Sequence, residues 1–543
     1  MSLTLAVPSL TARDAGEIEL QPQKVKKWLE ELPLLNVADT SRKLYTTLSL
    51  HNRVEYDGKL RLELLELFRQ PVSQISVELT KQYIGLPLPL SEKHRSIAEQ
   101  NRQLQIELAN GYKRAVLDLS SSPANGVREQ ALRALAVQRA LRGLTGALAV
   151  SYHTYSPCPV GAWKEIHALH AHAEDQGIAE FEIKDPLNGA VPACSVSHAY
   201  KQALLLEFSD PYHLPPRMMD WAHHYLDRWA PLAQLTAATS AYQPTCQFLI
   251  DRDNDHAGIA YTSGTVPEDP KRYRLLNTVE LARQVHAQLT HLASGEMPPA
   301  EGLRENFFRE SGQDLLRRLI AAWGVNPQRA FRRSPAADRQ VEIAIGMDRI
   351  NYWINGGKKF VVSSTFVGPI SQRTQLASEE IRHKDVQIPG RELSTWDIRD
   401  ESAGGLALSK SGAIRLHINV GDLLITRTPG DGNPWSVGVI RWVRSTGSSN
   451  IEIGIQHLAP SADPVVIKTV NENGKESDFL PALLLPEIKP LKQPQTLVTH
   501  RGVFKPDTGV FMDNGCRLYH IMPTRLIEAS HSFEQFSFDI QNT

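Results

Sequence analysis

The stretch Trp396-Asp397-Ile398-Arg399-Asp400-Glu401-Ser402-Ala403-Gly404-Gly405-Leu406-Ala407-Leu408 decides the fold. Trp396 and Ile398 alternate with polar residues, the period of a half-buried strand. Asp400, Ser402, Gly404 and Gly405 read as a tight turn. Asp and Ser side chains can bond nearby backbone there, and glycine tolerates conformations and close approaches that other residues do not. Leu406 and Leu408 start the returning strand. The stretch therefore predicts a β-hairpin with a polar, glycine-rich tip.

Working outward, the flanking text is also β-like. Gln340–Ile354 reads QVEIAIGMDRINYWI, in which Val341, Ile343 and Ile345 alternate with other residues; the spacing predicts a strand entering a hairpin. Residues 356–394 are polar, with Gly356-Gly357-Lys358-Lys359 and the charged run from Glu379 to Asp385, and read as a long inserted loop. After the hairpin, Leu416–Arg427, Trp435–Arg444 and Asn450–Leu458 give further short strands separated by turn residues. That spacing predicts a small antiparallel barrel.

Asp400-x-Ser402-x-x-Gly405 resembles the D/N-x-S-x-x-G signature of PilZ domains. A second PilZ-like signature, R-x-x-x-R, is supplied by Arg329-Ala330-Phe331-Arg332-Arg333, directly ahead of the first barrel strand. Val420-Gly421-Asp422, Gly438–Val443 and Ile453–Gln456 continue the resemblance, which covers about Pro327 to Val470. It implies a small β-barrel that binds the bacterial second messenger cyclic di-GMP. The two signatures normally lie about a strand and a turn apart; here residues 356–394 lengthen the gap.

The residue types suit that ligand on chemical grounds. Guanidinium forks match phosphate oxygens and the O6/N7 edge of guanine. The expected ligand-binding residues are Arg329, Arg332, Arg333, Asp400, Ser402, Gly405, Trp442 and Arg444. Asp400 can accept from a guanine N–H. Ser402 can donate to a phosphate or brace the turn, and Gly405 keeps the backbone low. Trp442 and Arg444, two apart, share a strand face, where the indole can stack on a base or belong to the barrel core. The ligand is expected to be cyclic di-GMP, with no other cofactor and no metal.

The rest of the chain reads differently. Residues 1–22 look like a mobile tail. Residues 23–325 read as a helical domain, with helices expected from Ser91, over Gly126–Tyr152, and near 161–176, 194–208, 216–232, 278–295 and 311–324. In Gly126–Tyr152, Leu132, Leu135, Val137, Leu141 and Leu144 make an amphipathic pattern among arginines. The expected barrel spans 326–472. A Pro-punctuated link after Lys475 leads to a small β unit at 485–543. The fold class is thus multidomain α plus β: a large all-α domain, a PilZ-like antiparallel barrel with a long insertion, and a small C-terminal β unit.

With 59 Lys+Arg against 60 Asp+Glu, the balance argues against general nucleic-acid binding. There is no basic, apolar leader and no run of about 18 apolar residues, so neither a secretory signal nor a membrane span is expected. The four cysteines are dispersed without a C-x-x-C pair, which fits free thiols in the cytoplasm. His167 and His170 share a helix face without a spaced acidic or cysteine partner. Gly356-Gly357-Lys358-Lys359 lacks the P-loop spacing. The reading is a cytoplasmic, non-catalytic cyclic di-GMP effector whose barrel acts on a helical domain that binds an unidentified protein. The alternatives are a ligand-free interaction adaptor, an enzyme in the helical domain, and RNA binding by Arg415, Arg427, Arg441 and Arg444.

Overall fold

A computed structural model describes the chain except for residues 1–2, 12–17, 122–125, 188–190, 239–245, 262–268, 270, 300–302, 304–305, 325–333, 337–338, 363–365, 368–392, 431, 448, 470–476, 489–492, 507 and 542–543. It divides into two compact units, Met1–Leu86 with Leu90–Gln328, and Pro87–Pro89 with Arg329–Thr543.

The helices of the first unit are α1 (Pro22–Glu30), α2 (Val37–His51), α3 (Gly58–Thr80), α4 (Glu92–Ser120), α5 (Val127–His153), α6 (Ala162–Asp175), α7 (Val196–Phe208), α8 (Met218–Trp229), α9 (Val279–Ala293) and α10 (Gln313–Gly324). The Ser91 hydroxyl accepts from the His94 N–H at the start of α4, the cap expected there. In α5, Val137, Ala140, Leu141, Leu144 and Leu148 are buried. A Cβ on Gly143 would lie 2.9 Å from the Ala109 side chain, so glycine lets α4 and α5 pack at close range.

Strands also occur in this unit, which the helical expectation lacked. A two-residue pair joins β1 (Ile183–Lys184) to β2 (Ala193–Cys194). A four-stranded sheet, in the order β3-β6-β4-β5, combines β3 (Gln234–Ala237), β4 (Gln247–Asp251), β5 (Ile259–Ala260) and β6 (Tyr273–Asn277). Strands of two to five residues are too short to display a period.

The histidines of α6 are structural. His167 Nδ1 lies 2.7 Å from the Tyr200 hydroxyl, and its Nε2 lies 2.8 Å from the His256 carbonyl. His170 stacks on Tyr200 with centroids 4.0 Å apart. Burial pushes His167 down to about 4 and His170 to about 3. It also lowers His51 and His198 to about 4. Among the described residues no cluster could hold a metal ion, and no helix is long and apolar enough to cross a membrane.

The second unit contains two closed six-stranded barrels. The first is built from β8 (Gln340–Ile345), β10 (Ser394–Ser402), β11 (Gly405–Ser411), β12 (Leu423–Arg427), β13 (Ser436–Ser445) and β14 (Asn450–Ala459). It closes in the order β8-β10-β11-β14-β13-β12, with β12 back on β8. Two short strands precede and interrupt this series, β7 (Ser334–Pro335) on β10 and β9 (Phe366–Val367) on Leu518–Tyr519 of a later strand. The second barrel uses β15 (Asp463–Thr469), β16 (Leu480–Leu485), β17 (Thr496–Thr499), β18 (Val510–Asp513), β19 (Leu518–Ala529) and β20 (Glu534–Ile540). It closes in the order β15-β16-β17-β20-β19-β18, with β18 back on β15. The expected α-plus-β division and the antiparallel barrel are borne out, and the C-terminal β unit is itself a closed barrel. Strand pairing puts the change of barrel between Ala459 and Asp463, so β15 and β16 pair with the later strands.

One local expectation is corrected. Met347–Ile354 is not the second arm of a hairpin but a helix, α11. Gly346 turns the chain at φ 94°, and Met347 and Ile350, three apart, bury one face. Asn351 Nδ2 donates to the carbonyls of Val465 (2.9 Å) and Ala482 (3.0 Å). One hydrophobic cluster runs from Ala344 and Ile350 through Leu423 and Val437 to Leu483, Val498 and Phe533, so the two barrels share a core. Arg441 adds a two-pronged ion pair to Glu528 on β19, at 2.5 and 2.9 Å.

The buried histidines fix a pH dependence. Between about pH 6.5 and 4 the unfolded chain takes up protons that the folded imidazoles refuse, so stability is full above pH 6.5 and is lost as pH falls. Each of His51, His167, His170 and His198 contributes a slope of at most about 1.4 kcal/mol per pH unit. The urea midpoint of helical circular dichroism is expected to fall between pH 7 and pH 5, and less so in His170→Phe. Equal midpoints at the two pH values would show that these rings are not held neutral.

Candidate functional site

The signature hairpin joins β10 to β11, with Ser402 opposite Gly405. The Ser402 hydroxyl donates to the Gly405 carbonyl at 3.3 Å and so braces the turn. Gly405 is constrained by its own barrel. A Cβ there would lie 2.0 Å from the Ile455 carbonyl oxygen of β14. Among the alternatives read from sequence, the bracing role of Ser402 is the one seen, and what Gly405 keeps close is the neighbouring strand.

Register places the other expected residues. Directly opposed residues in a ladder share a face. Trp442 pairs with Gly454, Gly454's strand places Ala407 beside it, and Ala407 pairs with Asp400. These four form one row across β13, β14, β11 and β10. Ile451, Ile453 and Ile455 are buried inside the barrel, so Gly454 and its row face outward. A second row holds Arg444, Glu452, Ser409 and Asp397. A third holds Gln456, Gly405 and Ser402, with Arg441 Nε donating to Gln456 Oε1 at 2.7 Å. Asp400, Ser402, Gly405, Trp442 and Arg444 therefore lie on one outer face of four adjacent strands. Trp442 is half-buried on that face, not in the barrel core.

Bulges shape this face. The β10–β11 register shifts between Ile398 and Asp400, and the β13–β14 register shifts between Ile440 and Trp442. The extra residues are Arg399 and Arg441. Arg399 lies 3.7 Å from Glu452, and the Arg444 guanidinium carbon lies 5.9 Å from the Trp442 ring centre.

Arg329, Arg332 and Arg333 lie outside the described residues, as does most of the expected insertion. The residue bonded to Arg333 is placed, however. Ser334 pairs with Glu401, and Pro335 pairs with Asp400. Arg339 Nη1 pairs with Glu401 Oε1 at 2.6 Å, and Gln340 Nε2 donates to Asp397 Oδ1 at 2.8 Å. The residues directly after the arginine signature are thus paired with the strand that carries the other signature.

Three domain models of one family match the chain. Models described as the N-terminal domain of the cyclic-di-GMP receptor FimW, its middle PilZ domain and its C-terminal β-barrel domain match residues 23–240, 247–387 with 365–464, and 465–541, respectively. This chain is a PilZ-domain protein. The two stretches of the PilZ match overlap inside the expected insertion. The match begins at 247, ahead of the structural division at Gln328. A protein of Pseudomonas aeruginosa strain PAO1 named cyclic-di-GMP receptor FimW is 28% identical over 583 aligned positions, covering 99% of this chain and 93% of that protein. No solved structure matches the chain.

Sequence reasoning missed the strand Ser334–Pro335, the small floor of Gly454 and Ala407, and the Arg441 contacts. Only the glycine of Ile453-Gly454-Ile455 left a visible signal, an interruption in an otherwise apolar strand. A cleft of about 550 Å³ in the helical unit is lined by Arg69, Arg139 and Arg142, but these are already paired with Asp185, with Asp185 and Glu66, and with Asp227.

The glycine contact yields a stability test. Gly405→Ala must displace backbone, so a loss of about 3 kcal/mol or more is expected. Ser402→Ala, which removes one neutral hydrogen bond, should cost about 1 kcal/mol. Urea denaturation of both variants checks this. A Gly405→Ala protein as stable as wild type would contradict the close approach of Ile455.

Proposed function

We propose that this protein is a non-catalytic receptor for cyclic di-GMP, with its site on the outer face of the PilZ barrel beside Asp400 and Ser402. The single observation that carries this reading is the pairing of Ser334 and Pro335, the residues next after the arginine signature, with Glu401 and Asp400 of the other signature. The name of the Pseudomonas relative, with near-complete coverage of both chains, supports it.

In this reading Arg329, Arg332 and Arg333 supply guanidinium forks to the two phosphates and to a guanine O6/N7 edge. Asp400 accepts from guanine N–H groups. Arg444 adds positive charge beside Trp442, whose ring takes a base. Three or four charge-assisted bonds of about 1.5–3 kcal/mol each, less the cost of ordering, suffice for micromolar binding. The receptor acts by rearrangement. One division between the two units falls between Gln328 and Arg329, so a ligand held by the arginine segment acts at a passage of the chain from one to the other. The shift equals the ligand's differential affinity for the two arrangements and no more. The helical unit would then present a changed surface to a protein partner, with the protein working in the cytoplasm.

Isothermal titration of the full chain with cyclic di-GMP tests the reading. Wild type should bind at micromolar or tighter Kd. Arg329→Ala/Arg333→Ala should weaken binding by about a hundredfold or more, and Asp400→Ala by at least about tenfold. A folded wild type that does not bind would reject the receptor in favour of a ligand-free adaptor. Tight binding that leaves small-angle scattering unchanged would reject the rearrangement alone.

A further inference from the structure

Trp442 and Gly454 fit each other in a way that the signature residues do not explain. An ideal Cβ built on Gly454 would lie 1.8 Å from Trp442 Nε1, 2.2 Å from Cε2 and 2.4 Å from Cδ1. A ring approaching end-on would place those neighbouring atoms much farther away than Nε1. The near-equal distances mean that the pyrrole ring lies across the Cα–Cβ direction, flat on the backbone of β14. No residue with a side chain can occupy position 454 while the indole lies there.

The consequences follow from the row. Gly454 points out of the barrel, so the indole laid on it has one face against β14 and the other turned away from the barrel. Ala407, next in the row, is a small, buried residue that lies between Gly454 and Asp400. Arg444, two residues along the same strand and exposed, holds its guanidinium 5.9 Å from the ring centre. A flat aromatic surface flanked by a cation and facing outward is what a purine base stacks on.

We propose that Gly454 is a positioning residue for ligand binding. By having no side chain it lets Trp442 lie flat and present its outer face as the platform for one guanine of the ligand. This rests on the receptor reading above. A stacking surface accepts any base, so the platform contributes affinity, while base identity comes from hydrogen bonds elsewhere.

The test is a double-variant cycle on the full chain: wild type, Gly454→Ala, Trp442→Leu and the double variant, titrated with cyclic di-GMP. Each single variant should lose about tenfold in affinity. Gly454→Ala should add less than twofold on the Trp442→Leu background, because its effect runs through the ring. A full penalty in that background, or a Trp442→Leu protein that binds as wild type, overturns the proposal. If Gly454→Ala fails to fold, Trp442→Leu should restore folding by vacating the floor; no rescue overturns it too. A ligand-free measurement separates this proposal from the receptor reading. Trp442 emission, taken as the difference from Trp442→Phe, should become more accessible to iodide quenching in Gly454→Ala. If wild type binds no cyclic di-GMP, the receptor reading fails and the platform role falls with it. If quenching is unchanged while wild type binds, only the positioning role falls.

Discussion

Two rungs of antiparallel pairing, Ser334 to Glu401 and Pro335 to Asp400, hold the residues that follow the arginine signature against the signature strand. Barrel closure makes this possible. β10 lies between β8 and β11, and past Asp397, where its pairing with β8 ends, it pairs with β7. The covalent path from Ser334 to Glu401 runs through β8, α11 and residues 356–394, but the two residues are paired, one strand spacing of about 4.7–4.9 Å apart. Additional residues between two such points cost little, since closure entropy grows only logarithmically with length. The expected insertion is therefore compatible with the proposed site.

The two barrels are packed together for identifiable reasons. The core runs continuously from Ala344 to Phe533, α11 hydrogen-bonds to β15 and β16, and Arg441 grips Glu528. Arg441 is also the bulged residue beside Trp442 and the donor to Gln456, in the row of Gly405 and Ser402. The outer face of the PilZ barrel and the second barrel are thus joined by a side chain that belongs to both. Polar pairs of this kind add geometric definition more than net stability, because desolvation offsets much of the attraction.

Much of this architecture is legible in the sequence where local patterns are long. The 27-residue α5 announced itself by its apolar spacing and the Ser91 cap by its residue type. The hairpin at 396–408 was readable from alternation and a polar turn. What escaped was non-local or short. The strands of the four-stranded sheet hold two to five residues, too few for a period. Met347–Ile354 followed a strand closely enough to be read as its continuation, although Met347, Ile350 and Ile354 already had helical spacing. Of the proposed site, the candidate residues at 400, 402, 405, 442 and 444 were named from sequence, but their common face was not. That face depends on register across four strands and on two bulges, neither of which one segment encodes. The role of Gly405 against Ile455 and of Gly454 beneath Trp442 likewise needs the partner strand in view.

The juxtaposition of Ser334 and Glu401 can be measured directly. Opposed residues in an antiparallel pair have Cα atoms about 4.5–5.5 Å apart, within the span of a disulfide. Replacing Glu401 also removes its exposed pair with Arg339, which costs little. Ser334→Cys/Glu401→Cys in the full chain, oxidised mildly and mapped by mass spectrometry, is expected to give the 334–401 crosslink in high yield with cyclic di-GMP binding retained. Two reactive but unlinked thiols, or a crosslinked protein that no longer binds a ligand the reduced form binds, would contradict a site assembled by this pairing.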